Sequence, residues 1–121
     1  MRAPVISIID DDESTRTALT GLMRARGFDA RSYASAEAFL EAGVCETSQC
    51  IITDIQMPGL TGIELKHKLD AIKCATPVIM ITARGEQRLH NLAIASGPFH
   101  LLRKPFKSDA LIAWVEKALA G

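Results

Sequence analysis

The sequence predicts an α/β fold: a five-stranded parallel sheet, doubly wound, with five helices. Three observations predict it. Val5–Ile9, Cys50–Asp54 and Val78–Thr82 are short and largely apolar, the pattern of strands buried on both faces rather than one. Stretches with apolar residues at helical spacing separate them, and such alternation marks parallel crossover units. The connections are short and rich in Gly, Pro, Ser and Asp, so right-handed crossovers distribute helices to both faces.

The elements follow in order. Val5–Ile9 runs into Asp10-Asp11-Asp12-Glu13. Negative charge suits a helix N-terminus, which accounts for Asp12 and Glu13 but leaves Asp10 and Asp11 at the strand end. A helix follows to about residue 26, with Leu19, Leu22 and Met23 inward and Gly27 as its stop. Asp29–Tyr33 is a weaker, edge strand. Ser35 caps a short helix carrying Phe39 and Leu40, closed by Gly43. Asp54 then ends the third strand, and Pro58-Gly59 with Gly62 turns the chain tightly. Thr61 and Glu64 supply a capping box for the next helix, whose inward residues are Leu65, Leu69 and Ile72. That leaves Asp54 free of capping duty. Pro77 breaks the chain before Val78–Thr82. Residues 85–96 form a weakly amphipathic helix ending at Gly97, and residues 99–102 a fifth strand leading into Arg103-Lys104-Pro105-Phe106. Ser108 is expected to cap the last helix, with Leu111, Ile112, Val115 and Leu119 inward.

One domain spanning residues 1–121 fits this length, without repeats or internal linkers. The formal net charge is zero, against direct nucleic-acid binding, which needs a basic excess. No apolar run reaches membrane-spanning length and the first residues lack a signal-peptide core, so a cytoplasmic location and no membrane partner are expected. Cys45, Cys50 and Cys74 match no zinc or redox spacing, and buried or half-buried free thiols are expected. His67, His90 and His100 are scattered and read as surface or boundary side chains.

Open α/β sheets react at the carboxyl ends of their strands. Asp10 and Asp11 follow the first strand, Asp54 the third, Thr82 the fourth and Lys104 the fifth. Three carboxylates in one crevice repel by about 4 kcal/mol per pair at about 4 Å in an intermediate dielectric. Lys104 offsets part of this, and a hard divalent cation, most naturally Mg²⁺, offsets the rest. A carboxylate nucleophile, a metal, a lysine and a hydroxyl make a phosphoryl-transfer set.

Ile8-Ile9-Asp10-Asp11-Asp12, Thr53-Asp54-Ile55-Gln56-Met57-Pro58-Gly59-Leu60-Thr61-Gly62, Ile81-Thr82-Ala83 and Lys104-Pro105-Phe106 together resemble a two-component response regulator receiver domain over essentially the whole chain. Ser35-Ala36-Glu37-Ala38-Phe39-Leu40 further resembles the FixJ-like branch, whose receivers usually precede a helix-turn-helix DNA-binding domain. The resemblance implies a flavodoxin-like fold with strand order 2-1-3-4-5. It implies a phosphoacceptor rather than a turnover enzyme, with Asp54 taking phosphoryl from a sensor histidine kinase. Asp10, Asp11 and Asp54 would hold Mg²⁺ with the Gln56 backbone carbonyl. Lys104, placed by a cis bond to Pro105, and Thr82 would contact the phosphoryl oxygens, and the small Ala83 would leave them room. Gln56 and Arg84 match the positions flanking the attacking water, where Arg84 is expected to shield the acyl phosphate. The chain is expected to be an excised receiver switching a transcriptional output domain.

One departure stands out: residues 97–102 replace a Gly-Ala run, and Leu101 stands where an aromatic is usual. An aromatic rotamer switch coupled to Thr82 therefore cannot operate as such, and hydrophobic repacking at Leu101 is expected in its place. Arg88, Arg103, Asp109 and Glu116 place opposite charges on one expected face, which suits a two-fold homodimer on phosphorylation. Trp114 is expected at the core boundary beside it. Among rivals, Asp10-x-Asp12-x-Ser14 faintly resembles the first motif of haloacid-dehalogenase-type phosphatases, but no late acidic pair follows Lys104. A nucleotide-binding module would want glycines, not three acids, after the first strand. A degenerate receiver acting only as a docking surface would not keep the acid, threonine and lysine set complete.

Overall fold

The computed structural model describes residues 3–83, 85 and 87–121. The strands are β1 (Val5–Ile9), β2 (Asp29–Tyr33), β3 (Cys50–Asp54), β4 (Val78–Thr82) and β5 (His100–Arg103). The helices are α1 (Glu13–Ala25), α2 (Ala36–Ala42), α3 (Gly62–Ala71), α4 (Gln87–Ala95) and α5 (Ser108–Ala120). All strand pairs are parallel, in the order β2-β1-β3-β4-β5. The order reverses between β1 and β3, where a crevice opens above the strand ends.

Strand alternation sorts the core into two layers. Ile6, Ile8, Ile52, Ile79 and Ile81 face α1 and α5, meeting Leu19, Met23, Leu111, Ile112 and Val115. Ile9, Ile51, Val78 and Met80 face the other helices, meeting Phe39, Leu65, Leu69 and Ala93. Five-residue strands that are buried on both faces explain the unbroken apolar runs.

The helix ends follow local chemistry. Asp12 caps α1 by accepting the Thr15 N–H, and Ser35 caps α2 by accepting the Ala38 N–H. Thr61 and Glu64 form both halves of the capping box on α3. Gly43 closes α2 in the left-handed conformation, φ 63°, which glycine adopts without steric cost.

Several expectations are corrected. The cap of α5 is Lys107, with no side-chain hydrogen bond, so Ser108 lies inside the first turn; the Lys107 carbonyl already receives the Ala110 and Leu111 amides. Ile72 falls at the C-cap of α3 and is 63% exposed, because the helix ends before the next inward position. The fifth strand starts one residue later than expected and includes Arg103. Cys45 and Cys74 are joined as a disulfide with a Cα–Cα separation of 6.4 Å, not free as expected. Their 29-residue separation hides the contact, which exists because two crossovers bring the α2–β3 and α3–β4 loops together. Cys50 is a free buried thiol, pushed up to about 12 by burial.

Candidate phosphoacceptor site

Asp10 follows β1 directly, with Asp11 next, and Asp54 ends β3, the neighbouring strand. One ligand oxygen from each of Asp10, Asp11 and Asp54 lies within 4.8 Å of the others. Asp10 is buried, Asp54 half-buried and Asp11 exposed. The sheet thus places the three acids in graded depth at one crevice.

Backbone and side-chain contacts fix the acids. Asp10 Oδ1 accepts the Asp12 N–H at 2.9 Å, while Oδ2 is buried with no hydrogen-bond partner among the described residues. Arg16 of α1 donates from Nη1 to the Asp10 carbonyl at 2.8 Å. Asp12 accepts from Ser14 and Thr15, which hold it at about 2 and turn it toward its helix rather than the crevice.

The electrostatics show the crowding. Burial, then the Asp10 charge, raises Asp54 to about 6, opposed by the Lys104 ammonium and the Ile55 N–H. Burial also raises Asp10, opposed by the Asp12 N–H and Lys104. Lys104 follows β5, and its charge favours ionisation of Asp10, Asp12 and Asp54. Its amide donates to the Thr82 carbonyl at 2.9 Å, and its bond to Pro105 is cis. Thr82 is buried at the end of β4. Gln56 is exposed between buried Ile55 and Met57. The acids, Lys104 and Thr82 therefore all stand at the strand ends that the sequence analysis assigned them.

An unpartnered buried carboxylate oxygen beside two further carboxylates fits a hard, oxygen-preferring divalent cation. No thiol or imidazole belongs to the cluster, which disfavours a softer metal.

A family model for the response regulator receiver domain matches residues 6–116. The chain belongs to the response regulator receiver family. It is 39% identical over 114 residues to the transcriptional regulatory protein FixJ of Azorhizobium caulinodans, covering 94% of this chain and 54% of that protein. It is 36% identical to FixJ of Bradyrhizobium diazoefficiens, covering 94% and 56%. The receiver thus spans about half the length of these curated relatives. The crystal structure of FixJ-N superposes with a TM-score of 0.89 at 30% identity, covering 99% of this chain and 96% of that one. Full-length FixJ from B. japonicum gives 0.90 at 34%, covering 99% and 59%.

Other expectations fare unevenly. Leu101 is half-buried and packs against the α2–α3–α4 side of the core. Arg84 lies outside the described residues. Asp109 turns to Arg26 of α1 at 3.3 Å and so belongs to the α1 edge of α5, not to the expected charged patch. Arg103 remains beside α4, donating to His90 Nδ1 at 3.0 Å and Gln87 Oε1 at 3.1 Å. Trp114 is half-buried, as expected of a boundary residue, with the His100 ring stacked on it at 3.5 Å and 12°. Sequence reasoning missed Arg16 and Glu37, which act on loop backbone; a charged residue near a helix start gives no signal of such a bond. Among the described residues, no helix is long and apolar enough to cross a membrane.

Proposed function

We propose that residues 1–121 form one cytoplasmic receiver domain in which Asp54 accepts a phosphoryl group from a sensor histidine kinase. The carrying observation is the cluster of Asp10, Asp11 and Asp54 beside Lys104, with a buried, unpartnered Asp10 oxygen. An Asp54 carboxylate oxygen attacks phosphorus, the bond from phosphorus to the donor nitrogen breaks, and an aspartyl phosphate results. Asp10, Asp11, Asp54 and the Gln56 carbonyl would hold Mg²⁺, which supplies charge neutralisation at the phosphoryl oxygens. Lys104 supplies a second cation and Thr82 a hydroxyl donor. The expectation that Arg84 slows hydrolysis of the product is tested by Arg84→Ala, which should dephosphorylate faster; an unchanged rate would leave Arg84 without that role.

Incubation with acetyl phosphate, read by intact mass, tests this. Labelling should require Mg²⁺ and vanish in Asp54→Asn; Asp11→Ala should remove metal binding and with it the Mg²⁺-dependent label, while Lys104→Ala should keep metal binding but blunt the response. Undiminished labelling of Asp54→Asn would place the nucleophile elsewhere.

The phosphorylated receiver switches a transcriptional output domain and dimerises through α4, β5 and α5. Exposed Leu92, Ile94 and Phe99 support an apolar contact there, bordered by Arg88, Arg103 and Glu116. Sedimentation with beryllofluoride and Mg²⁺ should show a dimer that charge reversal at Arg103 weakens. A chain that stays monomeric well above micromolar concentration would sink the idea.

A further inference from the structure

Glu37 stands in the first turn of α2, exposed and two residues past the Ser35 cap. Its carboxylate crosses to the β3–α3 loop, where Oε2 accepts the Leu60 N–H at 3.1 Å, a contact between residues 23 apart in sequence. A second observation marks the same spot. Gly59 has φ +76°, and a Cβ there would run into Glu37 Oε2, with Glu37 Cδ at 3.1 Å. The loop backbone therefore lies directly on the carboxylate, in space that any side chain at residue 59 would fill.

The rest of this loop is held by its own neighbours. Met57 is buried in the layer that contains Ala36 and Phe39 of α2. The Thr61 amide is taken by Glu64 at 2.9 Å, and the Gly62 amide donates to the Ile55 carbonyl at 2.9 Å. The Leu60 amide lies between these fixed points, and Glu37 is the group that takes it. A carboxylate is a stronger acceptor for a backbone N–H than a neutral group. The bond ties the limb that carries Gln56 to a helix outside the acid cluster.

We propose that Glu37 is a positioning residue for the phosphoacceptor site, clamping the β3–α3 loop to α2 so that the Gln56 carbonyl is presented to the bound cation. The proposal rests on the reading, given above, of the acid cluster and the Gln56 carbonyl as an Mg²⁺-dependent phosphoacceptor site. Glu37 touches no reacting atom; it acts through the loop backbone. The spacing of Glu37, Gly59 and Leu60 joins two segments of the chain that the acid cluster alone does not connect.

The test uses Glu37→Ala, Glu37→Gln and the unaltered chain, with Mg²⁺ and acetyl phosphate as probes. Glutamine keeps a carbonyl oxygen where Oε2 lies and should largely rescue. In Glu37→Ala the Mg²⁺ concentration for half-maximal labelling should rise about tenfold, the loss typical of partners that orient metal ligands. The maximal labelling rate should stay within about twofold, since no group that acts in the transition state is removed. The Leu60 amide should exchange with solvent faster in Glu37→Ala and stay protected in Glu37→Gln. An unchanged Mg²⁺ requirement in Glu37→Ala, an unchanged Leu60 exchange rate, or a Glu37→Gln variant as impaired as Glu37→Ala would each overturn the proposal. Failure of the reading beneath it looks different: the unaltered chain would then take no Mg²⁺-dependent label at all.

Discussion

Burial and the Asp10 charge hold Asp54 at about 6, against an ordinary 3.8, and this displacement has a definite sign. The folded chain binds that proton more tightly than the unfolded chain. The resulting stabilisation is fully present below about pH 4 and is lost as pH rises through about 6. At full effect the shift is worth about 3 kcal/mol, and partial solvent screening reduces this to about 1.5. Without divalent cations, Asp54→Asn should therefore be more stable than the parent by roughly that amount at neutral pH. The gap should close toward pH 4. Urea unfolding across this range checks it, and a gap independent of pH would mean the carboxylates are not crowded. Asp11→Asn should also stabilise the metal-free domain, and Mg²⁺ should raise the melting temperature of the parent by linkage.

At the scale of elements, caps and loop contacts separate what the sequence shows from what it conceals. Ser35 accepts the Ala38 amide at 3.0 Å, so Ser35→Ala should cost about 1 kcal/mol. Ser108 makes no cap bond, and Ser108→Ala should stay within about 0.5 kcal/mol; paired urea titrations measure both. The capping box at Thr61 was legible because both partners sit in one short window. β1, β3 and β4 were legible because burial on both faces leaves largely apolar runs, and Asp10, Asp11, Asp54, Thr82 and Lys104 because each stands at or just past a strand end. Crossover geometry was not. The Cys45–Cys74 contact, the turn of Asp109 to Arg26, and the reach of Arg16 and Glu37 to backbone groups depend on how distant segments meet, which no local pattern encodes.

For the molecule as a whole, the disulfide ties together the loops before β3 and β4, at the opposite end of these strands from the acid cluster. Closing a loop of this size restricts the unfolded chain by about 3–4 kcal/mol in the chain-entropy picture. Reduction by a dithiol, or Cys74→Ser, should lower the urea midpoint accordingly while leaving Mg²⁺-dependent labelling of Asp54 intact. Loss of labelling on reduction would couple the two ends of the sheet. Trp114 has a further consequence. It is the single tryptophan of the chain, stacked under His100, with the Lys117 ammonium 4.6 Å from its ring centroid. It sits on α5, beside the start of β5, and Leu101 is the next residue after its stacking partner. The domain therefore carries its own optical probe: a repacking at Leu101 that shifts His100 changes the quenching of a single indole. Intrinsic fluorescence can then follow activation in real time, with no label attached and no residue replaced.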